Sequence, residues 1–174
     1  MSEKVHYMEE SLVVGKRGEE KVRDFLLSKP YVESYVDVRN LKEFMDVDID
    51  FCVRFKDGSE HGMEVKTDTH SETGNIFFEL KSCEQKNTLG CVYKTGAKWM
   101  LYYFEDTGVL YILFMPKLRE WLDRNMNSFA TKKVKNQRRF FKGESDRYYY
   151  SVGKLVPRWL LEQQSFVRVH HLAD

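Results

Sequence analysis

Long apolar runs are absent from this chain: no stretch approaches the roughly 20 apolar residues that a membrane-spanning helix needs. Met1-Ser2-Glu3-Lys4 leads into no apolar run of signal length. The expectation is a cytoplasmic protein with no membrane partner. Excess charge of either sign is also missing, with 28 Lys and Arg against 27 Asp and Glu and a net charge of +1. That balance argues against wholesale attraction to polyanions and leaves room for a local basic patch. Cysteine is scarce and odd in number, and Cys52, Cys83 and Cys91 lack the spacing of a metal site. A disulfide framework and zinc are therefore not expected, and free thiols in a reducing compartment are. Internal repeats and low-complexity linkers are absent too, so residues 1–174 read as one domain. Hydrophobic residues at 42% and aromatics at 14% suffice for a folded core.

What is present begins with an alternation. Val47, Ile49, Phe51, Val53 and Phe55 are apolar, while Asp46, Asp48, Asp50, Cys52 and Arg54 between them are mostly polar. Period two is the mark of a half-buried strand. Lys56-Asp57-Gly58-Ser59 is a turn signal, and the alternation resumes with Met63 and Val65 apolar and Glu64 and Lys66 charged. Two such runs around Asp-Gly predict a hairpin. A turn centred near Asp57 sets Asp50 opposite Glu64, with Lys66 on the same face, because residues two apart on a strand point the same way. Opposed carboxylates repel. A divalent cation between them removes that cost, and hard oxygen ligands suit Mg²⁺ or Mn²⁺. A hairpin with one wet face carries the same residue types without any such role.

Upstream, residues 15–27 read as the start of an amphipathic helix that Pro30 stops. Val22, Phe25 and Leu26 make its apolar stripe, and Glu19 lies in line with that stripe one turn earlier. Negative charge near a helix N-terminus is also favoured by the dipole alone.

Gly15-x-x-x-Glu19 in a first helix, then Asp50, then Glu64-Val65-Lys66 on consecutive strands resembles the PD-(D/E)xK nuclease superfamily. The likeness is to its archaeal-type Holliday junction resolvases and small phage-encoded endonucleases. It covers Gly15 to about Thr67. The segments Thr73–Glu79 and Lys94–Trp99 look like phage-type members and lean viral. No Pro precedes Asp50, which leaves Asp48 as a competitor for the ligand role. The resemblance implies a single-domain α/β fold, a restriction-endonuclease-like mixed β-sheet flanked by helices. It implies Glu19, Asp50, Glu64 and Lys66 as catalytic residues. Metal would be held by Asp50, Glu64, the Val65 backbone carbonyl and Glu19. It further implies Mg²⁺ with Mn²⁺ as a substitute, DNA (branched in the resolvases) as partner, and a homodimer, since junction resolution takes two symmetric cuts.

The remaining pattern reads as strands over residues 76–80, 98–104, 109–114, 147–152 and 166–170. The fourth region of interest is basic. Lys132, Lys133, Lys135, Arg138, Arg139 and Lys142 occur without an intervening acid, and Phe140, Phe141 and Tyr148-Tyr149-Tyr150 lie beyond. Lysines neutralise phosphates and aromatics stack on exposed bases, so the run is a candidate nucleic-acid contact. A solvated loop followed by an ordinary core strand has the same composition. No role is assigned to His70, His170 or His171, and nothing separates Lys81 and Gln85 from surface residues. Three readings stay open: a Mg²⁺-dependent DNA endonuclease, a catalytically silent nucleic-acid- or protein-binding member of the same fold, and a regulator that docks through an aromatic sheet face.

Overall fold

The computed structural model describes residues 5–138, 140, 142–143 and 147–172. The chain runs β1 (Val5–Tyr7), α1 (Met8–Leu27), β2 (Val32–Asp37), α2 (Lys42–Met45), β3 (Phe51–Phe55) and β4 (Glu60–Asp68). Then come β5 (Asn75–Cys83), β6 (Thr88–Leu89), α3 (Cys91–Lys94), β7 (Trp99–Phe104) and β8 (Val109–Phe114). It closes with α4 (Met115–Asn125), β9 (Ala130–Gln137), β10 (Tyr148–Pro157), α5 (Arg158–Leu161) and β11 (Val167–His171). The single sheet expected from the sequence is two mixed sheets. One has the order β11-β8-β7-β4-β3-β2 and the other β1-β9-β10-β5-β6. Only β4–β7 and β1–β9 pair in parallel.

β7 is the strand on which both halves of the core meet. Its run is nearly all apolar, as a strand buried on both faces requires. Leu101 and Tyr103 face α1 with Val22, Leu26, Val53 and Val65. Met100, Tyr102 and Phe104 face the second sheet and α4, packing with Ile76, Phe78 and Leu118. β8, whose run is nearly all apolar, is flanked on both sides, by β7 and by the edge strand β11.

Three sequence expectations shift at their edges. α1 starts at Met8 rather than Gly15, with Glu9 and Glu10 in its first turn, where the helix dipole favours acids. β3 starts at Phe51 rather than Val47. Residues 46–48 are instead a turn, with Asp48 at φ 46°. That turn is tied to the loop before β7: Thr95 Oγ1 donates to the Asp48 carbonyl at 2.8 Å, and Gly96 N donates to the Val47 carbonyl at 2.8 Å. Lastly, Lys132, Lys133 and Lys135 of the basic run stand on a strand, β9, paired along its length with β10.

Gly18 sets how closely α1 lies on the first sheet. A Cβ there would sit 1.9 Å from Thr67 Oγ1 and 2.8 Å from Thr67 Cβ. No rotamer of Thr67 clears a contact to its own Cβ, so a larger residue must lift the helix. Gly18→Ala gains ~1 kcal/mol of helix propensity but overpacks the seam at a cost of roughly 1–3 kcal/mol. The expected outcome is a lower melting temperature, partly recovered by Thr67→Gly in the same chain. A Gly18→Ala protein that melts higher than wild type would show that the seam is loose.

Candidate active site

The β3–β4 hairpin places the acids. Its register pairs Phe51 with Met63 and Arg54 with Glu60, around a turn in which Gly58 takes φ 84°. The paired register ends at Phe51–Met63, one residue short of Asp50. Asp50 N donates to the Met63 carbonyl at 2.9 Å, anchoring the acid just before β3 begins. The Asp50 carboxylate then accepts the Val65 N–H at 2.7 Å. N–H and C=O of one strand residue point to the same side, so the Val65 carbonyl also faces past the start of β3, towards Asp50.

Glu64 is the deepest group of the site, with a side chain 1% exposed. Both its carboxylate oxygens are buried, and the groups that donate to the carboxylate are Lys66 and Thr95. Lys66, two residues on along the same face, brings Nζ to 2.7 Å from Glu64 Oε1, and its own side chain is 41% exposed. Burial pushes the Glu64 carboxyl up to about 7 against the opposing pull of Lys66. Burial draws Lys66 down, but Glu64 and Asp50 outweigh it and hold the ammonium protonated. Asp50 is raised as well, by burial first, with the Val65 N–H, Lys66 and Arg39 opposing. Two carboxyls whose ionisation burial opposes, sharing one lysine, form a site short of positive charge.

The other predicted residues divide. Asp48 lies in the turn rather than on the strand face, and its carboxylate goes to Lys94 Nζ at 2.6 Å. Glu19 follows Gly18 on α1, which packs on the Met63, Val65 and Thr67 side of β4, opposite Glu64 and Lys66. Its carboxylate pairs with Arg39, which also grips Asp37 at 2.9 Å and lies over the Phe51 ring. Asp50, Glu64 and Lys66 are thus brought together and Glu19 is not. Among the described residues no group of three or more His, Cys, Asp or Glu is gathered for a metal ion. The donors that fit one are the Asp50 and Glu64 carboxylates and the Val65 carbonyl. All are hard oxygens of the kind Mg²⁺ and Mn²⁺ take.

Glu79 is an acid of the site that the sequence reading passed over. It stands on β5, accepts a hydrogen bond from Ser151 and feels the charge of Lys66, while burial raises its carboxyl. An acid inside the apolar run Ile76-Phe77-Phe78-Glu79-Leu80 was the available signal. Of the basic run, Lys132, Lys133 and Lys135 stand on β9. Lys133 pairs with Glu84 and lies 4.6 Å from the Tyr150 ring; Lys135 lies 4.6 Å from the Tyr148 ring. Arg138 lies 5.1 Å from the Tyr149 ring, so these tyrosines are half-buried partners of cations rather than core. Lys142 is exposed, and Arg139 and Phe141 lie outside the described residues. Cys52, Cys83 and Cys91 are free thiols. Among the described residues no helix is long and apolar enough to cross a membrane.

The raised Glu64 carboxyl makes a stability prediction. Below its ordinary value of 4.5 both folded and unfolded states hold the proton. As pH rises from there to about 7, the unfolded chain releases it first, so the folded state loses stability across that window and no further above it. Glu64→Gln removes this loss. In chelator, its stability relative to wild type is expected to climb between those pH values by about 3 kcal/mol, at ~1.4 kcal/mol per pKa unit. Thermal melts across that range check it; a pH-independent difference would show that Glu64 ionises freely.

Comparison with protein-family models, with curated proteins and with solved structures found no match to this chain.

Proposed function

We propose that this chain is a Mg²⁺-dependent endonuclease that hydrolyses DNA phosphodiester bonds, with Mn²⁺ able to replace Mg²⁺. The observation that carries the reading is the convergence of Glu64, 1% exposed, and the half-buried Asp50 on Lys66. The likeness of Gly15–Thr67 to PD-(D/E)xK nucleases supports the same conclusion. Under it, the six-stranded sheet and α1 form the restriction-endonuclease-like core.

Asp50, Glu64 and the Val65 carbonyl would hold the cation, which when bound supplies Lewis acidity and a more acidic water. The Val65 N–H holds the Asp50 carboxylate in place. Lys66, kept protonated by Glu64, is suited to orient the attacking water and to balance charge developing on the phosphate. It is not suited to serve as the base. Glu19 would join the cation's water shell only after leaving Arg39. That engagement favours a second reading, in which the chain binds nucleic acid without cutting. A junction-resolving activity would require two such sites in a C₂ dimer.

The deciding experiment incubates labelled four-way-junction, flap, duplex and single-stranded DNA with the protein, with and without Mg²⁺. Metal-dependent cutting is expected, reduced on the order of 10²-fold or more by Asp50→Ala, Glu64→Ala or Lys66→Ala. Because the cation binds ionised Glu64, activity should also fall about tenfold per pH unit below about 7. Binding without cutting on every substrate would leave the silent reading standing; full activity in Asp50→Ala and Lys66→Ala would overturn the site.

A further inference from the structure

Among the described residues the two sheets present four edge strands, β1 and β6 on one and β2 and β11 on the other. Short length, charge and bulges are the means by which sheet edges avoid pairing with another chain. β1 has three residues and β6 two. β2 follows Pro30, carries Glu33 and Asp37, and shifts register with β3 between Val32 and Ser34. β11 has none of these protections. Its five residues, Val167–His171, run in unbroken antiparallel register with β8, from Val167 opposite Leu113 to His171 opposite Val109. No Pro or acid interrupts it, and Val169 at its centre is 37% exposed.

The ladder fixes which backbone groups this edge turns outward. Leu172 N donates to the Gly108 carbonyl and Phe114 N to the Phe166 carbonyl, so Phe166, Arg168, His170 and Leu172 aim their N–H and C=O groups at β8. Val167, Val169 and His171 aim theirs away from it. The Val167 N–H goes to the Gln164 carbonyl at 3.2 Å, and the Val167 carbonyl accepts from Arg168 Nη1 at 3.1 Å. The N–H and C=O of Val169 and of His171 have no protein partner among the described residues.

Two donors and two acceptors in that spacing are complementary to themselves. In an antiparallel pair of β11 strands with a two-fold axis at His170, Val169 of each copy stands opposite His171 of the other. Each such pair exchanges two hydrogen bonds, which uses every free group and leaves Val167 with its present partners. A two-fold axis at Val169 would instead face the His171 carbonyls with the Val167 N–H, which Gln164 already holds. His170 lies directly opposite its own copy, where like charges would repel. Burial first, and then Lys29, lower His170 from its usual range, so both rings are neutral at pH 7. Beside the edge, Trp159 is 63% exposed and shares a pocket of about 500 Å³ with Val169 and His171. A second β11 brings its own Val169 and His171 to that side, and an exposed Trp is the kind of residue that anchors interfaces.

We propose that this chain pairs with a second copy of itself through β11, joining two six-stranded sheets into one continuous sheet. The two Glu64–Lys66 sites then lie seven strand spacings apart, roughly 34 Å at about 4.8 Å each. That is too far to share one phosphate and suits two separate cuts. This consequence rests on the nuclease reading; the pairing itself does not.

Sedimentation equilibrium of the full chain over about 1–100 μM, in chelator and without DNA, tests the pairing. A species of twice the chain mass is expected. Val169→Pro removes an outward N–H and no bond to β8, the position at which an edge strand accepts proline. It should raise the dissociation constant about tenfold or more. A second variant decides the matter even where Val169→Pro does not fold. His170→Cys sets two thiols opposite each other at the roughly 4.5 Å Cα separation of a non-hydrogen-bonded pair, within the range of a disulfide. Mild oxidation should link its chains and leave wild type unlinked, since Cys83 and Cys91 are buried and Cys52 half-buried. A monomer at the highest concentration, a folded Val169→Pro that dimerises as tightly as wild type, or His170→Cys chains that stay unlinked would overturn the pairing. None of these readouts involves cleavage, so they stand or fall apart from the nuclease reading.

Discussion

The register of the β3–β4 hairpin is the constraint on which the site depends. With Phe51 opposite Met63, every second residue of both strands faces α1, and Glu64 and Lys66 face the other way. A slip of one residue would exchange those faces. It would drive Glu64 and Lys66 against Val22 and Leu26 and lift Met63 and Val65 into the polar site. Burial of Phe51, Val53, Met63 and Val65 therefore specifies the position of the charged groups as firmly as any contact the charges make. The turn contributes locally, since Asp57 accepts from both the N–H and hydroxyl of Ser59 and Gly58 takes the left-handed conformation.

Charge in this chain is organised by pairing rather than by excess. The net charge of +1 hides a segregation in which acids gather on the β4 and β5 faces and lysines on β9. Lys66 sits at the boundary, paired with Glu64 and within the field of Glu79. Arg39 does a comparable job on the other side of the sheet, held between Glu19 and Asp37. Because Glu64 is buried and Glu79 half-buried, their neighbours act on them through little water. The exposed pairs, Arg54–Glu60 and Lys117–Glu120, contribute little by the same reasoning.

The sequence made the hairpin, its turn and the facing of Glu64 and Lys66 legible because each is local: period two, an Asp-Gly turn and strand parity suffice. The apolar strands at residues 99–104 and 109–114 and the edge strand near the end were legible for the same reason. What local pattern could not supply was every feature decided by a distant partner. Val47 continues the alternation, yet its carbonyl is taken by Gly96 and the chain turns there. Lys132, Lys133 and Lys135 look like loop residues because a strand with one valine has no period to show; Tyr148 and Tyr150 across the ladder supply its apolar surface. Glu19 lies on the inward stripe as its spacing indicated. Its partner Arg39, however, belongs to a segment that carries no pattern. Glu79 came into view only when β5 was folded back beside β4. The split of one expected sheet into two follows from long β5 and β10 strands that pair with each other and pack across β7.

The parallel pairing of β1 with β9 also orders the assembly of the molecule in time. Val5 meets Lys135, so the first strand described has to wait for a partner about 130 residues later. Pairings so distant in sequence form late, because loop-closure entropy must be met before they stabilise anything. On a ribosome the hairpin carrying Asp50, Glu64 and Lys66 emerges long before β9 exists. A nascent chain therefore holds the acids without β9, and whatever acts through both belongs only to the finished protein.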